Sequence, residues 1–150
     1  MSVGGSGGGS GGGGWALAAM EAEDGEYMVR SRVLLPDPAD RARYPVAMWL
    51  TWAWGPIASE AEEDAVIDEM VRFENAVHAA AEKGGWGMLV AVVTNGAGRE
   101  WLWHAADATE FVGEMRGALE GHPTYPFEVR AWDDPSWKAA RELNPRAGMH

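Results

Sequence analysis

The sequence predicts an α+β domain: a four-stranded antiparallel sheet of ferredoxin-like βαββαβ order with both helices on one face, plus an N-terminal β-hairpin and a short C-terminal helix. Three observations predict it. The run Trp86–Asp107 contains an apolar stretch, an Asn95-Gly96 turn and an alternating Trp-rich stretch, which together spell a hairpin. Segments of helical periodicity flank that hairpin on both sides. Further strand-like runs lie outside the helices, at 44–54 and 126–132.

Residues 1–14 carry nine of the twenty glycines in a Gly/Ser pattern that buries nothing, so the domain is read as 15–150. An engineered linker and a natural glycine-rich tail both fit that pattern. From Trp15 to Leu35, two strand-like runs flank Glu23-Asp24-Gly25-Glu26, whose Asp-Gly is a hairpin signal. Pro36-Asp37-Pro38-Ala39-Asp40 breaks the chain. In Tyr44–Trp54, Val46, Met48, Leu50, Trp52 and Trp54 alternate with Ala47, Trp49, Thr51 and Ala53, and apolar residues on both faces imply a central strand.

Gly55-Pro56 ends that strand, and Ser59 with Glu62 three residues later forms a capping box opening a helix to about Lys83. Val66, Ile67, Met70, Phe73, Val77 and Ala81 fall on its apolar stripe, while Glu63, Asp68, Arg72 and Glu82 keep the other side wet. Gly84-Gly85 stops it. Met88–Thr94 and Glu100–Ala105 form the hairpin, with Gly98 as a permissive position where the chain re-enters the second strand. Asp107 caps a second helix bearing Phe111, Val112, Met115, Ala118 and Leu119, which Gly121-His122-Pro123 terminates. Pro126–Trp132 is the last strand, and Asp134-Pro135 starts a short helix through Leu143. This plan leaves one sheet face without helices, to be covered by Trp side chains or by the N-terminal hairpin.

Composition bounds the function. Twelve basic against 23 acidic residues give a formal charge of −11, which phosphate and anionic lipid repel, so neither nucleic acid nor a membrane surface is expected as a direct ligand. The same charge steers the chain towards a basic protein. With no Cys there are no disulfides, thiol nucleophiles or cysteine metal sites. No apolar run approaches the roughly 20 residues that span a bilayer, and no signal peptide is visible, so a cytoplasmic location is expected.

The run Leu89-Val-Ala-Val-Val-Thr-Asn-Gly-Ala-Gly-Arg-Glu-Trp101, the following Trp103-His-Ala-Ala-Asp107, and Asp133-Asp-Pro-Ser-Trp137 resemble the bacterial family of unknown function DUF695 over most of 44–137. Where that family commonly has Tyr on the second hairpin strand, this chain has Trp103. The resemblance implies a ferredoxin-like fold, similar in plan to the RraB proteins that inhibit ribonuclease E by protein contact. It brings no established catalytic residues.

Each candidate site has a plain structural reading beside the functional one. Glu60, Glu62, Glu63 and Asp64 suit a divalent ion or a basic partner, but first of all they satisfy the dipole and free amides of a solvated helix N-terminus. Asp133 and Asp134 make either a carboxylate pair or a helix start. His78, His104, His122 and His150 lack zinc-site helical spacing, so no metal is expected. Arg99 and His104, on one hairpin strand, are candidates for the wall of a ligand pocket; a partly exposed sheet histidine is the alternative. Ser136 and Thr94 lack a nucleophile-elbow context, and Gly96-x-Gly98 does not open a helix, so neither acyl transfer nor nucleotide binding is supported. Nine Trp residues fill core or anchor a partner, and Trp49, Trp101, Trp103 and Trp132 are the candidates for the helix-free face.

The expected function is that of a non-enzymatic, acidic interaction domain that binds and inhibits a basic protein such as a nuclease or toxin. Trp49, Trp101, Trp103, Trp132, Glu60, Glu62 and Glu63 would form its partner-binding set, with no catalytic residues and no cofactor. The alternatives are a small-molecule-binding or catalytic domain using the helix-free sheet face, and a purely structural accessory domain. Oligomeric state stays open.

Overall fold

A computed structural model of the chain describes residues 14–143 apart from residue 24; the Gly/Ser expectation for 1–14 therefore falls almost wholly outside the described residues. Six strands form one antiparallel sheet: β1 (Trp15–Ala22), β2 (Gly25–Arg32), β3 (Val46–Ala53), β4 (Gly87–Asn95), β5 (Gly98–Ala105) and β6 (Glu128–Asp133). Their spatial order is β1-β2-β4-β5-β3-β6. Helices α1 (Pro38–Arg43), α2 (Glu60–Gly84), α3 (Ala108–Ala118) and α4 (Lys138–Leu143) are the other elements among the described residues.

The N-terminal hairpin does not fold over a sheet face. Instead β2 pairs with β4 from Met28↔Thr94 to Ser31↔Ala91 and lengthens the sheet sideways. β4 is apolar and mostly buried on both faces, so its outer backbone amides and carbonyls require a ladder partner, and β2 supplies it.

The strand pleat sorts side chains between the two faces. On the first face, Met48, Leu50 and Trp52 of β3 and Trp101 and Trp103 of β5 pack against Met70, Phe73, Val77 and Ala81 of α2 and Phe111 and Met115 of α3. Ser59 Oγ accepts from the Glu62 amide to start α2, while the Glu62 carboxylate reaches one residue further back, to the Ala58 amide. Gly85, at φ 69°, closes the helix, and its amide donates to the Ala81 carbonyl.

The opposite face is not free of helices, contrary to the expectation from sequence. Tyr44, Trp137 and Ala140 cover Ala47, Val90, Ala91 and Leu102, placing α4 and the end of α1 over the middle of the sheet. A register shift between Leu89 and Ala91 inserts Val90 as an extra residue, and both Val90 and Ala91 then join this second core. α1 is an unpredicted helix: Asp37 Oδ1 accepts from the Asp40 amide, and Pro38 occupies the first turn. α4 begins at Lys138, later than Asp134-Pro135 implied, because the Asp134 carboxylate caps the amides of Lys138 and Ala139. No helix among the described residues is long and apolar enough to cross a membrane.

Candidate functional site

The densest polar centre lies on the first face, where α2 crosses β2 and β5. Glu74 sits among the apolar residues of α2, between Met70 and Val77, and is itself buried. Both of its carboxylate oxygens accept from Arg30 Nη2, at 2.8 and 2.9 Å, and Oε1 also accepts from Trp101 Nε1 at 3.0 Å. Both carboxylate oxygens are thus engaged, one by a guanidinium and the other by a guanidinium and an indole, which ties α2 to β2 and β5.

Around Glu74 gathers a group of cations uncommon in so acidic a chain. Arg32 donates from Nε to the Leu89 carbonyl at 2.7 Å and lies over the Trp15 ring at 4.9 Å. Arg99 donates from Nε to Thr94 Oγ1 at 3.0 Å. Burial pulls the pKa of Arg32 below its usual value, with Glu82 opposing. Arg99 is lowered too, first by burial, with Glu74 opposing and Arg30 reinforcing. His78, close by on α2, is likewise shifted down chiefly by burial. Arg30 and Arg99, with Leu17, Met28, Val92 and Thr94, line a cleft of about 240 Å³ open to solvent beside the end of the hairpin.

The second face holds a different cluster. His104 is fully buried, and its Nδ1 lies 2.9 Å from the Tyr44 carbonyl, which can only accept, so Nδ1 carries the proton. Trp137 Nε1 donates to the same carbonyl at 3.0 Å and to that of Arg41 at 3.2 Å. Asp134 Oδ2 stands 3.7 Å from His104 Nε2, beyond hydrogen-bond reach, and is engaged instead in capping α4. The cluster is a buried lock between sheet and helices. A wider groove of about 470 Å³ on this face runs past Tyr27, Trp49, Val93, Asn95 and Leu143.

The residues singled out from sequence do not form one surface. Trp101 and Trp103 point into the helix-covered core and are fully buried, which removes both from any partner-binding role. Their register explains it: Trp101 stands opposite Leu50 and Trp103 opposite Met48, so all four share the first face. Trp49 and Trp132 are on the other face; Trp49 is half-buried with Nε1 donating to Glu100 at 2.7 Å, and Trp132 is 40% exposed. Glu60, Glu62 and Glu63 are exposed at the start of α2. Arg99 and His104 lie on opposite faces, so they cannot wall one pocket, and His104 is buried where a partly exposed ring was the alternative.

Arg30 and Glu74 were not found by sequence reasoning. A glutamate at the centre of an apolar helical stripe was the available signal, since a carboxylate there is buried and must have a cation partner. Among the described residues no group of three or more His, Asp or Glu is placed to hold a metal ion.

Comparison with known families matches residues 13–142 to one described as a family of unknown function, DUF695. No curated protein and no solved structure matches the chain.

Proposed function

The chain belongs to the DUF695 family, and we propose that it works by binding a protein with a basic surface, not by turning over a substrate. The observation that carries this reading is the outer side of the first half of α2. Glu60, Glu62, Glu63, Asp64 and Asp68 are all exposed there, and among the described residues none of them is in an ion pair. Acidic groups beyond those needed at a helix N-terminus raise the rate of encounter with a cationic partner and set its orientation.

The order β6-β3-β5-β4 of the inner strands supports a ferredoxin-like account of the core, with β1 and β2 added beside β4. An inhibitory role of the RraB kind, acting on a nuclease or toxin in the cytoplasm, belongs to the same proposal and draws its support from that plan and the charge alone. Trp132, exposed at the sheet edge, lies on the opposite face from α2 and is not part of the acidic surface.

The experiment compares the natural chain with a Glu60→Lys, Glu62→Gln, Glu63→Lys variant, each immobilised and exposed to source lysate at low salt. A basic protein should be retained by the natural chain, leave in a salt step and be absent from the variant. Equal retention by both, or a complex indifferent to salt, would overturn the acidic-surface reading.

A further inference from the structure

The cleft between the N-terminal hairpin and the β4–β5 turn is on the opposite side of the sheet from the Trp49 groove and uses none of the acidic residues of the proposed partner surface. Its chemistry is of the other sign. Arg99 spends one donor on Thr94, and among the described residues its two terminal nitrogens have no hydrogen-bond acceptor. Arg30 is already shared with Glu74. Two guanidiniums against one carboxylate leave a single positive charge at this place, partly withdrawn from water and open to the cleft.

We propose that this cleft is a binding site for a small monoanion, a carboxylate carried on a short apolar body, with Arg99 as its principal anchor. The carboxylate takes the free fork of Arg99 and the outer side of Arg30, while Leu17, Met28 and Val92 receive the apolar part. Leu17 is 44% exposed on the rim, an apolar surface that a ligand of this kind would cover. A monoanion matches the local charge, whereas a dianion such as phosphate would place its second charge beside Glu74. Burial without a full set of acceptors disfavours the Arg99 cation, and an anion in the cleft removes that penalty.

The test is a titration of the full chain with hexanoate, hexanol and inorganic phosphate, followed through the Trp101 indole N–H and the backbone amides of Met28, Thr94 and Arg99 in 1H–15N spectra. Hexanoate should give saturable shifts confined to these positions, weakening as salt is added. Hexanol, of the same shape without charge, should bind on the order of tenfold more weakly, the worth of one charge-assisted hydrogen bond. Phosphate, lacking the apolar body, should also bind more weakly. Arg99→Met should keep the spectrum of a folded domain and lose about tenfold in hexanoate affinity. Should that variant fail to fold, the hexanoate-to-hexanol comparison on the natural chain decides alone. Equal binding of hexanoate and hexanol, an Arg99→Met protein that binds as tightly as the natural one, or shifts without saturation would each overturn the site. Phosphate binding as strong as hexanoate would overturn the apolar-body assignment.

Discussion

The imidazole of His104 lies flat on the indole of Trp137, with ring centroids 3.9 Å apart and planes 12° from parallel. The two residues come from β5 and from the turn before α4, and both donate to the Tyr44 carbonyl. One backbone oxygen thus ties the central sheet, the end of α1 and the approach to α4.

This arrangement makes stability depend on pH. Burial is the main influence on His104 and pulls its pKa below the ordinary 6.5, against the opposing effects of the Tyr44 hydrogen bond and Asp134. The unfolded chain therefore binds more protons than the native one as pH falls below about 6.5. Stability should be full above that pH and decline below it, towards the folded pKa, with a slope of at most about 1.4 kcal/mol per pH unit for one histidine. His78 is shifted the same way and adds to the slope. Urea unfolding between pH 5 and 8 should show a shallower dependence for His104→Phe, which preserves the stack and leaves the Tyr44 carbonyl its bond from Trp137. An unchanged slope in that variant would locate the effect elsewhere.

Removing Glu74 should be costly in proportion to what it neutralises. Glu74→Leu strips Arg30 of both carboxylate contacts and leaves the Trp101 indole N–H without its acceptor. Because the Arg30 side chain is 37% exposed, water recovers part of the loss, and a destabilisation of about 2 kcal/mol is expected, below that of a fully buried pair. Adding Arg30→Met should restore part of it, which a double-mutant cycle on chemical denaturation would measure.

Gly98 should tolerate no side chain. A Cβ there would meet the Trp52 carbonyl oxygen at 2.1 Å and the Ala53 Cα at 2.8 Å, both backbone atoms of β3 that cannot rotate away. Gly98→Ala should therefore lose on the order of 3 kcal/mol or fail to fold, while Gly96→Ala, in open space, should change the thermal midpoint little.

Trp137 should rank with the core residues although it stands in a turn. It is fully buried, at φ 57°, and Trp137→Ala should cost about 3–5 kcal/mol, measured by thermal or urea unfolding. Leu17→Ser, on the exposed cleft rim, should stay within about 0.5 kcal/mol of the natural chain.

Much of the fold was legible because local signals agreed. The Asn95 carboxamide bonds the amides of Ala97 and Gly98, Asp107 caps α3, and the α2 stripe buries Met70, Phe73, Val77 and Ala81 as its spacing required. The positive φ of that hairpin fell on Gly98 and not on Asn95 or Gly96. The direction of the Trp residues was not legible, since β3 and β5 carry apolar residues at both phases of the pleat and the helices choose the face. Arg99 and His104 were a missed inference: five positions apart on one strand, an odd spacing, they had to point opposite ways. Asp37-Pro38 carried the same start signal as Asp134-Pro135, yet only the second was read as a helix. The Arg30–Glu74 pair joins residues 44 positions apart, a separation that no local pattern reaches.

The Tyr44–Trp137 bond also orders events in time. It spans 93 positions, so during synthesis Ala47, Val90, Ala91 and Leu102 wait with their second face only partly covered, by Tyr44, until residue 137 emerges from the ribosome. Everything from β1 to β5 can be translated before that, and the closing contact is the latest-made part of the domain. Until then the half-covered sheet is a surface on which chaperones, or other nascent chains, can settle.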